Sequence, residues 1–196
     1  QRQMCIRDSG TAVAGILYGE ADPAGRLPFT WPKKLEDSPS HRLATQDLDT
    51  VNYEEELMVG YRYFDTQEVE PQFPFGYGLS YTTFRYGRLR VSEKNGKVRG
   101  RIEIRNTGDR DGSQTVQIYV RPERPSVTRP VHELKAFEKL FLRAGERRTV
   151  EFTLPARAFS YYSETEGRWV EDPGPYTIEA AASSRDIRST AQINIK

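Results

Sequence analysis

From Phe84 to the C-terminus, apolar and polar residues alternate with a period of two. Arg85–Glu93 and Lys97–Asn106 flank Asn95-Gly96, the dipeptide that favours a two-residue hairpin because both of its positions tolerate positive φ. In the second segment Val98, Gly100, Ile102 and Ile104 fall on one side, and Arg99, Arg101, Glu103 and Arg105 on the other. That is the pattern of an antiparallel strand with one face in a core. Thr107–Gly112 reads as a turn, Thr115–Val120 alternates again, and Arg121–Pro130, with three prolines, reads as an irregular crossover. Further strands are expected at Leu134–Leu142, Arg148–Leu154, Phe159–Tyr162, Trp169–Glu171, Tyr176–Ala182 and Ala191–Ile195. Ala144-Gly145-Glu146 and Asp172-Pro173-Gly174 supply turns. Short strands at this spacing predict a β-sandwich.

The residues before Phe84 follow other rules. Thr11–Tyr18 places Ala12, Val13, Ile16 and Leu17 on one helical face, and Gly19 fits a C-terminal stop. Asp22-Pro23-Ala24-Gly25 predicts a turn, and Leu27–Trp31 a short buried strand ended by Pro32. One helix and one strand cannot bury a core, so this is a piece of an α/β layer. Lys33–Val51 is polar and reads as a long surface loop. Glu54-Glu55-Glu56 reads as a solvated face rather than an acid–base site.

Between these regions lies Tyr53–Phe84, rich in Phe and Tyr and interrupted by Pro71, Pro74, Gly76 and Gly78. Proline withholds a donor and glycine loosens the backbone, so no long regular element is expected. The segment reads as an extended strap that buries its rings against packed surface.

Composition narrows the function. The 196 residues contain 36% hydrophobic and 29% charged residues, which suits one domain and part of another. No apolar run approaches the roughly 20 residues of a membrane span. The net charge is +1 with both signs interleaved along the chain, so no field favouring nucleic acid or an anionic membrane is expected. Cys5 is the single cysteine and is read as inert. Without a pair there can be no disulfide framework.

Candidate chemistry is sparse. Asp109-Arg110-Asp111-Gly112 begins like a calcium loop but lacks the later carboxylates, so a turn is expected. His41 and His132 are the only histidines, and neither has a second ligand at helical or strand spacing. His132 is assigned to ordinary packing or solvation. Gly76-Tyr77-Gly78 lacks the strand, helix and third glycine of a dinucleotide loop. Trp31, Tyr61, Tyr63, Phe64, Tyr77, Tyr81, Trp169 and Tyr176 could stack on sugar rings, but packing is the favoured role. Arg62 and Asp65 could brace the strap onto the preceding domain by a charge-assisted hydrogen bond.

GYRYFD (Gly60–Asp65) and FPFGYGLSYTTF (Phe73–Phe84) resemble the segment joining the second and third domains of glycoside hydrolase family 3 enzymes of the β-glucosidase and β-xylosidase group. Gly10–Pro32 resembles the last helix and strand of that family's second domain. Asn106–Gly112, Thr115–Val120, Glu133–Phe137 and Gly174–Ile178 resemble its fibronectin type III-like domain. The family usually has glycine where Glu56 stands. The resemblance implies a mainly β fold: an immunoglobulin or fibronectin type III-like β-sandwich at 84–196, an inter-domain strap at 51–83, and at 10–50 a small remnant of an α/β sandwich domain with its loop. Gln1–Ser9, containing MCIRDS, resembles translated sequencing-adapter sequence and is set apart.

It further implies the C-terminal part of a retaining enzyme that hydrolyses terminal non-reducing β-linked sugars, glucosides foremost, without a cofactor. The family's nucleophilic aspartate and acid/base glutamate belong before Gly10, so no catalytic, cofactor-binding or metal-binding residue is assigned, and the fragment is expected to be inactive. A glycoside substrate would be met through the upstream domains, and the strap would pack within the molecule; nucleic acid and membrane are not expected partners. A periplasmic or secreted bacterial location is favoured over a cytoplasmic one. The alternative is a non-catalytic carbohydrate-binding or interaction sandwich.

Overall fold

Alternation along one strand builds the first sheet. A computed structural model of the chain describes residues 6–41 and 52–196; Cys5 and residues 42–51 of the expected loop lie outside them. Strands β1 (Phe84–Tyr86), β2 (Arg90–Lys94) and β3 (Lys97–Asn106) are followed by β4 (Gly112–Pro122), β5 (Glu133–Leu142) and β6 (Arg147–Leu154). Asn95 and Gly96, both at positive φ, close the β2–β3 hairpin as expected. All pairings are antiparallel. β3 takes β6 on one edge and both β1 and β2 on the other.

The second sheet has the order β10-β9-β4-β5, with β9 at Gly174–Ser183 and β10 at Asp186–Ile195. A ribbon of β7 (Ser160–Ser163) and β8 (Arg168–Glu171) closes one end. Val98, Ile102 and Ile104 of β3 meet Val116, Ile118 and Val120 of β4, and Leu140, Leu142, Val150, Leu154, Tyr176 and Ile178 complete the core. Burying each such aliphatic side chain contributes about 1.5–3 kcal/mol. Tyr176 also donates from its hydroxyl to Asp172 O at 2.7 Å, and burial raises this phenol to about 12.

Ahead of the sandwich lie helix α1 (Ile6–Leu17) and the short helix α2 (Tyr61–Thr66). Helix α1 runs through Ile6–Ser9, part of the segment set apart above, and ends at Gly19 with φ 77°. Its expected apolar face is largely uncovered: Val13 and Leu17 are exposed.

Three local expectations need correction. GYRYFD is helical, because Tyr61–Glu70 contains no glycine or proline and Gly60 (φ 55°, ψ −137°) supplies the abrupt entry. Leu27–Trp31 is not a strand; it makes one bridge, Trp31 to Phe73, and Phe29 and Trp31 stay half exposed. Asp22–Gly25 is not a hydrogen-bonded turn, and Asp22 instead binds the far end of the strap.

Candidate functional site

The second sheet carries a face that period-two reasoning leaves open to water. Val116, Ile118 and Val120 point into the core, so Gln117 and Tyr119 must point out, yet both are buried. Thr177, Glu179 and Ala181 of β9 share that outer face, in register with Arg121, Tyr119 and Gln117. They are buried as well. The strap covers Gln117 and Tyr119, while Glu123 caps Thr177 and His132 and Arg121 hold Glu179.

Its rings do part of the covering. Tyr61 stacks on Phe75 with centroids 5.0 Å apart and meets Tyr119 edge-on at 5.8 Å. Tyr119 stacks on His132 at 4.6 Å. Backbone groups are satisfied across the seam: Leu134 N donates to Tyr61 Oη at 2.8 Å, Val131 N to Thr66 Oγ1 at 3.0 Å, and Ser184 N to Phe75 O at 2.9 Å. Gly76, at φ 80°, lies flat against the Gln117 amide, where a Cβ would collide. Gln117 Nε2 donates to Ala182 O at 3.0 Å, and Tyr119 Oη donates to Gln117 Oε1 at 2.6 Å. Phosphate binding has no place here; the glycine permits a close approach.

Charge fixes the rest. His132 Nδ1 lies 2.8 Å from Glu179 Oε2, and Nε2 lies 3.2 Å from Asp65 Oδ2. A neutral imidazole has only one N–H, so serving two carboxylates needs the imidazolium. Burial works against that charge, but the hydrogen bonds to Asp65 and Glu179 outweigh it, and the His132 pKa is raised. Asp65 is held below the usual carboxylate range: burial pushes it up, and the hydrogen bonds from His132 and Arg185 prevail.

Arg185, in the β9–β10 turn, completes the cluster. Its Nε donates to Asp65 Oδ1 at 2.6 Å, Nη1 to Glu70 Oε2 at 2.9 Å, and Nη2 to Phe64 O at 2.7 Å and Val69 O at 2.8 Å. The Phe64 carbonyl is in the last turn of α2, where a cation also suits the helix dipole, and Val69 lies three residues past Thr66.

Among the described residues Arg62 and Asp65 reach the sandwich, at Glu133 and Arg185, where the sequence suggests a brace onto the preceding domain. Arg62 lies 3.7 Å from Glu133, which also receives Arg129 Nη2 at 2.7 Å. His132 is no ordinary packed histidine, and Glu179 and Arg185 carry no sequence motif. One trace is readable: Glu179 interrupts the otherwise uncharged run Tyr176–Ala182.

A second set of contacts ties α1 and the residues after it to the same seam. Asp22 Oδ1 accepts from Ser80 Oγ and Tyr81 N, both at 2.7 Å, and its Oδ2 accepts from Ser113 N at 3.3 Å. Arg26 Nη2 donates to Gln114 Oε1 at 2.6 Å, and Arg110 Nη2 to Gly19 O at 3.0 Å. The Asp109–Gly112 loop is a turn organised by Asn106, whose Nδ2 donates to Arg110 O at 2.7 Å.

The candidate sugar platforms separate. Phe64 and Tyr176 are buried, and Tyr61 is in the seam. Tyr63 packs edge-on against Phe64, while Tyr81, which donates to Ile16 O, and Trp169, with Arg157 over its ring at 4.3 Å, stay 43% and 47% exposed. Trp31 and Tyr77, the latter stacked on Phe73, line with Leu27 and Phe73 an open apolar cavity of about 400 Å³.

Chemically, the cluster is a lock. Retaining glycoside hydrolysis needs two carboxyl groups roughly 5–5.5 Å apart across an accessible bond. Here an imidazole fills the space between Asp65 and Glu179, and all three side chains are at most 7% exposed. Among the described residues, no group of three or more His, Cys, Asp and Glu is arranged to hold a metal ion, and no helix is long and apolar enough to cross a membrane.

Residues 6–81 match the glycosyl hydrolase family 3 C-terminal domain, and residues 114–184 the fibronectin type III-like domain. The chain is 45% identical over 182 residues to the thermostable β-glucosidase B of Acetivibrio thermocellus, covering 91% of this chain and 24% of that protein. It is 40% identical over 192 residues to the exo-α-(1→6)-L-arabinopyranosidase of Bifidobacterium breve, covering 97% and 25%. The crystal structure of a Bifidobacterium adolescentis β-glucosidase of family 3 superposes with a TM-score of 0.92 at 40% identity, over 95% of this chain and 28% of that one. The chain thus spans about a quarter of the length of the curated relatives it matches.

Proposed function

Because this chain belongs to glycoside hydrolase family 3, carrying that family's C-terminal domain and a fibronectin type III-like domain, we propose that it is the C-terminal part of a retaining β-glycosidase. The whole enzyme would release terminal non-reducing β-linked sugars, β-glucosides foremost, from glycoside substrates. The described part holds the sandwich rigidly on the preceding domain. The observation that carries this reading is the buried outer face of β4: a free-standing sugar-binding sandwich has no need to hide Gln117 and Tyr119 beneath Gly76 and Tyr61 of the strap.

The buried carboxylates of the seam are engaged by Arg and His, which leaves none free to attack or protonate a glycosidic bond. The catalytic aspartate and glutamate would then belong to other parts of the enzyme. Relatives named for β-glucoside and for α-arabinopyranoside hydrolysis resemble this part about equally well. That supports a structural role indifferent to the sugar.

Grafting tests the proposal. This chain replaces the matching quarter of the Acetivibrio enzyme, and hydrolysis of 4-nitrophenyl β-D-glucoside is followed for the chimera and for the chain alone. The chimera should retain turnover and the lone chain should show none. A folded but inactive chimera, or hydrolysis by the lone chain, contradicts the reading.

A further inference from the structure

Interleaved charges in the sequence become segregated charges on the sheet. The outward positions of β1, β2, β3 and β6 follow from the registers and the exposure pattern. They hold Arg85, Arg90, Lys94, Lys97, Arg99, Arg101, Arg105 and Arg147, against only Glu103 and Glu151. A surplus of six positive charges therefore occupies one face of a chain whose net charge is +1.

Parts of the rows are arranged against stability, although Glu151 stands opposite Arg101. Arg85, Arg105 and Arg147 stand directly opposite one another across three strands, and Arg90 faces Arg101. Like charges so placed destabilise a sheet. Among the described residues the only ion pair on this face is Arg147 with Glu103, at 3.9 Å. A device that costs stability and is not neutralised within the chain points to a partner.

We propose that this face binds an acidic polysaccharide, a chain of carboxylate-bearing sugars. Six of the eight cations are arginines, whose planar fork matches a carboxylate with two parallel hydrogen bonds. Strand spacing of about 4.8 Å sets them in a flat array suited to an extended polymer. No aromatic residue occupies an outward position here, so the stacking platforms of single-stranded nucleic acid binding are missing. A flat sheet presents neither helix nor ribbon to a duplex groove. No apolar side chain stands out to enter a bilayer.

The test uses the whole chain and polygalacturonate, beside the same polymer fully methyl-esterified, single-stranded DNA and phosphatidylserine vesicles. Binding to polygalacturonate should weaken about tenfold or more between 0.05 and 0.5 M salt. Esterified polymer, DNA and vesicles should bind at least about tenfold more weakly than polygalacturonate. R99E/R105E should lose binding without a lower Tm, since the second carboxylate it introduces would sit between Arg85 and Arg147; R99Q/R105Q serves if the reversal fails to fold. R124E, away from the face, should bind normally. Absence of polygalacturonate binding, equal or tighter binding of DNA or vesicles, or full binding by the double variants would overturn the proposal.

Discussion

Arg185 reaches Asp65 across 120 residues of sequence, placing its Nε 2.6 Å from Oδ1. The same guanidinium takes the Phe64 and Val69 carbonyls, so one side chain from the sandwich closes the end of α2. Removing it takes the donor from Asp65 Oδ1 and from two backbone acceptors, while His132 still holds Asp65 Oδ2. Arg185→Ala should cost about 3 kcal/mol, a Tm fall of roughly 6–12 °C for a chain of this size. Arg185→Lys should recover only part of the loss, because an ammonium cannot reproduce the fork. Thermal melts decide both.

His132 makes the seam sensitive to pH. It is faced by Asp65 from α2 and Glu179 from β9, with Arg185 behind Asp65, Arg121 3.5 Å from Glu179, and the Tyr61 and Tyr119 rings alongside. Its pKa is raised in the fold, so its contribution is complete below the ordinary value of 6.5 and lost as pH rises through the folded value. Asp65 is lowered, so its contribution is complete above 3.8 and lost as pH falls through the folded value. The seam should be tightest between these limits. Raising the pH from 6 to 9 should lower the Tm of the native chain, and His132→Gln should flatten that slope. An unchanged slope in the variant would remove His132 from this role.

Gly76 is held against Gln117 at φ 80°. Gly76→Ala adds a Cβ where the buried amide lies and forces a non-glycine residue into the left-handed region. The loss should be about 2–3 kcal/mol in urea melts. A change within about 0.5 kcal/mol would mean the strap can lift without cost.

Glu56 occupies the left-handed region, with φ 48°, at a position where the family resemblance leads one to expect glycine. Glu56→Gly should raise stability by about 0.5 kcal/mol, the relief of strain exceeding the added entropy of the unfolded chain. A β-branched residue should do the opposite, so Glu56→Ile should lower stability by about 1 kcal/mol.

The strands can be read because their information is local. Period two fixes which side of Lys97–Asn106 is buried, and Asn95-Gly96 fixes the hairpin. The lock cannot be read, because Asp65, His132, Glu179 and Arg185 are far apart in sequence and belong to no motif. Helix α2 is hidden when breakers are counted over the whole strap, since the window between Gly60 and Pro71 has none. Leu27–Trp31 misleads in another way: apolar composition suggests burial, but Phe29 and Trp31 have little above them among the described residues. Net charge likewise conceals the basic face, since it sums over the whole chain, whereas pleating gathers Lys97, Arg99, Arg101 and Arg105 on one side of β3 and the apolar residues on the other.

Amide hydrogen exchange across the seam tests the lock most directly. If strap and sandwich open together, the amides of Val131, Leu134 and Ser184, which donate to strap acceptors, should show the same opening free energy as those of β4 and β9, and Asp65→Ala should lower these three first. Exchange of these three amides at the rate of an open loop, while β4 and β9 stay protected, would contradict it.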